Sequence, residues 1–414
     1  MNEVARPVVI LGSTGSIGTQ VLDVISRCAP ATEVVALAAG GGNLELLAAQ
    51  AVETGARLLG IARGEAEELR GAIEAAEDAA GAPRMAREIL VGPAAAADVA
   101  ASRPDAVVVN GMSGSIGLGP TLAALRAGAD LALANKESLV AGAALVRRAV
   151  VCSGQIRPVD SEHSAMWQAL SSGKHRRGLV AKEVDGTSEV ARLILTASGG
   201  PFRGRKRHEL AQVSAQEALH HPTWSMGPVV TVNSSTLMNK ALELIEAHVL
   251  FDVAPEQITA VVHPQSVIHS AVEFVDGSTL AQASPPDMCL PIALGISAPD
   301  RWRGAALPCA WDAPVSWTFE PLDEDTFPAV GLARHAVAAS STHPAVFNAA
   351  NEEAVDAFLA GKCAYLDIVD TVAAVLENWD HPGDPRDLAD VTAAEEWARR
   401  AARARLAGKS TSLA

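Results

Sequence analysis

The chain has 414 residues, of which 49% are hydrophobic and 20% charged, and a formal net charge of −15. That length exceeds one ordinary core and predicts two or three domains. The acidic balance excludes a nucleic-acid partner, because phosphate backbones need a basic surface, and any small phosphate must be met by a local pocket.

The chain runs at once into an apolar stretch, Val8–Leu11, with no signal-peptide pattern before it. Similar runs at Val34–Ala38, Leu58–Ala62, Ala106–Val109, Asp130–Ala134 and Ile156–Val159 alternate with helical stretches. Continuous apolar strands separated by helices predict an α/β, Rossmann-like, doubly wound parallel sheet over residues 1–158. The first strand is followed by Gly12-Ser-Thr-Gly15-Ser-Ile-Gly18 and a helix with Val21, Leu22 and Ile25 on one face. Between a strand and a helix, such a turn lets backbone approach a pyrophosphate, which the helix N-terminus then binds. The spacing GxxGxxG is not the commoner GxGxxG, and a tight turn without ligand is the bland alternative. The second strand runs into Gly40-Gly41-Gly42-Asn43 with no carboxylate until Glu45. An NAD site puts an acidic residue there, so its absence permits NADP, although no arginine stands there either. Asn135-Lys136-Glu137 lies just past a strand, at the sheet edge where ligands bind.

Residues 159–297 read as a central α+β catalytic domain, with strands near Leu193–Thr196, Ile258–Val262 and Val272–Val275 between polar loops. Asp160 and Glu162 sit two residues apart at a strand end, where two carboxylates can converge on one cation, although the same spacing is common on surfaces. Ser198-Gly-Gly-Pro-Phe202 offers a hydroxyl and free amides to an anion. His221-Pro-Thr-Trp224-Ser-Met226-Gly227 has the composition of a lid, or of a rigid turn with a packed tryptophan. A helix over Ser235–Leu250, capped by Ser234 or Ser235, brings Asn239, Lys240 and Glu243 together, with 239 and 243 on one face. Residues 298–325, with several Pro, Asp and Trp, read as a linker. Residues 326–414 read as a C-terminal helical bundle broken at His343-Pro344 and His381-Pro382, with a tail that frays from Leu406. Five scattered cysteines without a CxxC pair exclude a disulfide framework and fit a reducing cytoplasm. No apolar run is long enough for a membrane span.

Read together, GSTGSIG at 12–18, LANKESLV at 133–140, VDSEHSA at 159–165, LTASGGPF at 195–202, HPTWSMG at 221–227, LMNKALELIEAH at 237–248, VVHPQSVIHSAVEF at 261–274 and FNAANEEAV at 347–355 closely resemble the 1-deoxy-D-xylulose 5-phosphate reductoisomerases. The resemblance covers nearly the whole chain. It implies a homodimer that uses NADPH and a divalent metal, Mg²⁺ or Mn²⁺. The sugar phosphate would be rearranged and reduced to 2-C-methyl-D-erythritol 4-phosphate, a step of the non-mevalonate isoprenoid pathway. By the same resemblance Asp160, Glu162 and Glu243 are the metal ligands, and Ser161, Lys136 and His221 meet the sugar hydroxyls. Ser198, Ser234, Asn239 and Lys240 form the phosphate pocket, and Trp224 and Met226 form a flap over the substrate. Thr14, Gly15, Ser16, Ile17, Gly41, Gly42, Asn43, Asn135, Glu137 and Gly227 contact NADPH. Lys136, Glu162 and His221 are the residues expected to act in catalysis, with the mode of carbon–carbon rearrangement left open. Thr223, Asn233, Ser235, Ala241 and Cys289 depart from the family's usual residues, and none is an expected ligand. Two rivals remain: an NADP-dependent dehydrogenase of another sugar phosphate, and a catalytically silent NADP-binding regulator.

Overall fold

The computed structural model describes residues 6–224, 226–380 and 383–410. Ser225 of the flap segment, the helix break at His381-Pro382 and the end of the tail, 411–414, lie outside the described residues.

Seven strands form the first sheet: β1 Val8–Leu11, β2 Val34–Ala39, β3 Leu58–Ile61, β4 Glu88–Val91, β5 Val107–Asn110, β6 Asp130–Leu133 and β7 Ile156–Pro158. They are all parallel, in the order β4-β3-β2-β1-β5-β6-β7. Alternate residues of each central strand enter different cores. Val9, Leu11 and Val108 pack to one face, and Val8, Ile10, Val107 and Val109 to the other. Both faces are therefore covered, which is why these strands read as unbroken apolar runs. The order reverses between β1 and β5, and ligands of such sheets bind beyond the strand ends at that switch. The edge strand β4 was not anticipated, since its half-exposed Glu88-Ile-Leu-Val carries no buried run.

The second sheet is mixed: β8 Val190–Ala197, β9 Ile258–Val262, β10 Ile268–Phe274, β11 Thr279–Ala283 and β12 Glu320–Pro321, in the order β11-β10-β8-β9-β12. Only β8 and β9 run parallel. β10 begins earlier than its apolar residues suggest because His269 and Ser270 are buried within it. The segment expected as pure linker also contributes β12, which pairs with β9.

The helix expected over Ser235–Leu250 starts later, and a short helix that was not expected precedes it. Pro228–Ser235 and Met238–Phe251 are separated by Leu237, buried in a left-handed conformation at φ 60°. The expected serine cap is absent. Ser235 Oγ donates back to the Val232 carbonyl at 2.7 Å, closing the first helix instead of starting the second. Four C-terminal helices, Ala329–Ala339, His343–Leu359, Asp367–Glu377 and Leu388–Ser410, form the bundle. The bundle packs on Met238–Phe251 and on the helix Lys136–Ala149, so it backs both ligand-bearing regions. No helix among the described residues is long and apolar enough to cross a membrane.

Candidate active site

Asp160 follows β7 and caps the helix Ser161–Leu170, its Oδ1 accepting from the Glu162 amide at 3.1 Å. That geometry sets both acidic side chains at the C-terminal edge of the first sheet. Glu243 arrives from the second turn of the helix Met238–Phe251. Carboxylate oxygens of Asp160, Glu162 and Glu243 lie within 4.8 Å of one another, so the two segments do converge. Lys136 Nζ stands 2.7 Å from Asp160 and 2.8 Å from Glu243. Lys240 Nζ is 2.9 Å from Glu162 and also pairs with Glu243. Asn239 donates to Glu243 and Ser161 to Glu162.

Three carboxylates face two ammonium groups in a nearly closed site, with Glu243 only 1% exposed; burial and the neighbouring Glu162 raise the Glu243 carboxyl's pKa. Burial opposes the charge on Lys136, yet Asp160, Glu243, Glu246 and Glu162 together hold its pKa well above the usual value. Lys240 is raised in the same way, against burial, by Glu162 and Glu243. For Asp160 burial pushes upward, but Lys136, His163 and Lys240 keep the carboxyl below its ordinary range. Clustered hard oxygen donors fit Mg²⁺ or Mn²⁺.

Behind this site lies the imidazole of His163, in the same motif as Asp160 and Glu162. His163 Nε2 faces the Glu243 carbonyl at 2.9 Å, and Nδ1 lies 3.2 Å from Asp160 and 3.7 Å from Glu246. The ring thus bonds to the Glu243 backbone and sets its Nδ1 against Asp160 without a hydrogen bond, behind the expected ligands. Glu246 was missed; its signal was its spacing, one turn on from Glu243.

The phosphate residues divide into two groups. Ser198 follows β8, and its Oγ meets His221 Nε2 at 3.0 Å. His221 Nδ1 accepts from the amides of Trp224, at 2.8 Å, and Thr223, at 3.1 Å. The ring is therefore neutral with the proton on Nε2, and burial lowers its pKa. Gly200, at φ +66°, lies so close to the Ser234 carbonyl that a Cβ would stand 2.9 Å from it, so the loop carrying Ser198 touches the turn carrying Ser234. Asn239 and Lys240 face the carboxylates instead, the strongest partners open to buried donors. Trp224 sets its ring edge-on to His269, 6.2 Å between centroids. Gly227 caps the helix Pro228–Ser235, so the flap segment leads directly to Ser234.

At the nucleotide end, Gly12 adopts φ +76°, and the helix Ser16–Cys28 starts with no side-chain cap, leaving its amides for an anion. Gly15 and Ser16 are exposed and Thr14 and Ile17 half-buried along this turn. Ile17 packs against Gly111, at the end of β5. Asn43 caps the helix Leu44–Thr54, accepting from the Leu46 amide at 3.0 Å. Gly41, at φ +89°, is obligatory, because a Cβ would meet the Arg63 carbonyl at 2.0 Å, whereas Gly42 has no neighbour within 4 Å. The backbone of an arginine, Arg63, past the end of β3, thus stands beside the end of β2. Sequence could not show that adjacency, which exists only through strand pairing. Asn135 donates to the carbonyls of Met112 and Gly114 and to Glu137 at 2.8–3.0 Å, so its side chain is engaged in holding this loop.

Three family models match the chain: 1-deoxy-D-xylulose 5-phosphate reductoisomerase over residues 8–143, its C-terminal domain over 156–251, and the DXP reductoisomerase C-terminal domain over 283–401. A relative named 1-deoxy-D-xylulose 5-phosphate reductoisomerase, from Beutenbergia cavernae, is 61% identical, covering 97% of this chain and 98% of its own. One of the same name from an Arthrobacter species is 58% identical over 98% of this chain and 99% of its own. Among solved structures, the reductoisomerase of Zymomonas mobilis in complex with NADPH is similar, with a TM-score of 0.85 and 39% identity over 97% of this chain and 99% of that one. Another, a DOX-P reductoisomerase in complex with NADPH, fosmidomycin and magnesium, gives 0.83 and 34%, covering 97% and 98%.

Proposed function

The chain belongs to the 1-deoxy-D-xylulose 5-phosphate reductoisomerase family, and we propose that its three-carboxylate site performs that family's reaction with the residues placed as follows. The protein converts 1-deoxy-D-xylulose 5-phosphate to 2-C-methyl-D-erythritol 4-phosphate with NADPH and a divalent metal, in the non-mevalonate route to isoprenoids. Asp160, Glu162 and Glu243 hold the cation. The observation that carries this reading is their convergence from two segments 81 residues apart, Glu162 to Glu243, beside Lys136. When bound, the cation supplies Lewis acidity towards the substrate's carbonyl and neighbouring hydroxyl oxygens, and NADPH supplies the hydride.

The chain's own groups do the rest. Lys136 keeps its proton and places a positive charge where negative charge develops on the sugar oxygens during rearrangement. Glu162, hydrogen-bonded by Ser161, is the group to move a proton between those oxygens. His221 holds Ser198 with one nitrogen and the flap backbone with the other, coupling the phosphate to the segment that excludes water. Ser198 and Ser234 make the phosphate pocket with Asn239 and Lys240, which would be free for it if a cation took up Glu162 and Glu243. Thr14 to Ile17 meet the pyrophosphate, and Gly41 to Asn43 the adenosine ribose, with Arg63 beside the 2′-phosphate. Asn135, Glu137 and Gly227 complete the nucleotide site. The chain works as a homodimer in the cytoplasm, for which its five free cysteines are suited; cell fractionation tests the location.

A plain NADP-dependent dehydrogenase needs no three-carboxylate site, and a silent regulator keeps no ligands under selection. Incubation with 1-deoxy-D-xylulose 5-phosphate, NADPH and Mn²⁺ decides between these readings. Loss of nicotinamide absorbance with a branched methyl-erythritol phosphate as product is expected, together with inhibition by fosmidomycin. Reduction without a branched product would leave only the dehydrogenase reading.

A further inference from the structure

The C-terminal bundle reaches the turn that carries Ser234 from both sides. Asn351, in the helix His343–Leu359, donates from Nδ2 to Asn233 Oδ1 at 3.0 Å. Tyr365, just before the helix Asp367–Glu377, donates its hydroxyl to the Ser235 carbonyl at 2.7 Å. The residues on either side of Ser234 are thus held by side chains from the far end of the chain. The Tyr365 ring also packs edge-on against Phe202, 5.1 Å between centroids, and Phe202 ends the loop that begins at Ser198. The two loops touch through Gly200, against the Ser234 carbonyl.

We infer that Asn351 and Tyr365 are positioning residues for the substrate phosphate, clamping the Ser234 turn and the Ser198 loop in register from the C-terminal bundle. The inference rests on the assignment of Ser198 and Ser234 to the phosphate pocket. Three features favour positioning over mere packing. Leu237, three residues past Ser234, holds a left-handed backbone while buried, so the turn needs outside support to keep its shape. Asn351 is wholly buried, yet its Oδ1 has no hydrogen-bond partner among the described residues. An orphaned buried acceptor is a cost that packing alone does not require, since an apolar residue of the same shape avoids it. Burial also raises the Tyr365 phenol's pKa, so it remains a donor throughout the working range.

Neither residue touches the carboxylates or the nucleotide turn through any contact described above. Their loss should act on the phosphate alone. Asn351→Leu removes the donor and the orphan together, and Tyr365→Phe removes only the hydroxyl while keeping the ring on Phe202. The test compares both variants and a Ser234→Ala control on two substrates, 1-deoxy-D-xylulose 5-phosphate and the phosphate-free sugar, with NADPH and Mn²⁺ dependence in parallel. Asn351→Leu is expected to raise KM for the phosphorylated substrate about tenfold, and Tyr365→Phe about threefold, with kcat little changed. Any turnover of the phosphate-free sugar and the KM for NADPH should stay as in the parent. Equal losses on both sugars, or a fall in kcat at constant KM, would overturn the clamp and leave a structural role. An unmoved KM in both variants, with Ser234→Ala raising it, would overturn the clamp alone. An unmoved KM in Ser234→Ala would remove the phosphate assignment and the clamp with it. Should Asn351→Leu fail to fold, Tyr365→Phe carries the same comparison.

Discussion

His221 accepts two flap amides on Nδ1 and donates from Nε2 to Ser198, an arrangement open only to the neutral ring. Burial lowers its pKa from 6.5, so the ring stays neutral at neutral pH and charges only at lower pH. The unfolded chain takes up that proton first, so the contribution to stability is full above about 6.5 and is lost as pH falls below it. Protonation puts a hydrogen on Nδ1 and expels both amides. KM for the substrate should therefore rise as pH falls through the depressed pKa. His221→Asn keeps an acceptor oxygen near the amides and cannot titrate, so its KM should be flat over that range. A pH series of KM for both proteins checks this, and an identical acid limb in both would contradict it. At this scale the sequence was informative where chemistry sits in short motifs, as with Asp160 and Glu162, or at helical spacing, as with Asn239 and Glu243. It was silent on Arg63, whose backbone meets the end of β2 only through strand pairing, whereas Glu246 was marked only by its helical spacing from Glu243.

The helix Leu388–Ser410 is not a passive cover. Its Glu395 is 6% exposed and reaches Ser115, in the turn beyond β5 that Asn135 also holds. Burial pushes this carboxyl from 4.5 up to about 7, with Glu352 and Glu137 adding to the shift and Ser115 and Arg399 opposing it. Between those two values the folded chain keeps a proton that the unfolded chain has released, so stability falls as pH rises across the interval. The full penalty, about 3 kcal/mol at most, is present above pH 7. Glu395→Gln keeps the reach to Ser115 without the charge. Its melting temperature should exceed the parent's at pH 8, and the difference should vanish near pH 5; thermal melts at both values check this. Elements were legible where both faces are buried, as in β1 and β5. They were not where burial is one-sided or the residues polar, as in β4 and β11. The late start at Leu237 left no trace in the pattern, because an apolar residue in a left-handed turn looks like one more helical position.

Across the whole molecule, the parallel sheet presents the nucleotide turn and Asp160 at one edge, the second sheet presents Ser198, and the bundle braces both. The fold class was legible in the alternation of apolar runs and helices, and the convergence of the three carboxylates came with the family resemblance, whereas the contacts of the bundle with Ser115, Asn233 and Ser235 could be seen only in the folded chain. Among the described residues, Leu307, Trp311, Val315 and Phe319 are exposed along one segment, with Trp311 packed edge-on to Trp317. Monomers rarely expose such a stretch, and a second copy of the chain is its expected cover. Sedimentation equilibrium should give twice the 42.7 kDa chain mass, and Trp311→Asp should shift it towards the monomer.

The account stands on one cation held by Asp160, Glu162 and Glu243. Glu243→Gln preserves volume and helix position but removes one ligand charge. Calorimetric titration of Mn²⁺ into the parent and the variant, with NADPH affinity measured on the same samples, tests that claim most directly. The variant should bind Mn²⁺ weaker by about a hundredfold or more, since even outer-shell losses reach that range, while NADPH binding remains within about twofold because its site is separate. Equal Mn²⁺ affinity in parent and variant would contradict the three-carboxylate site.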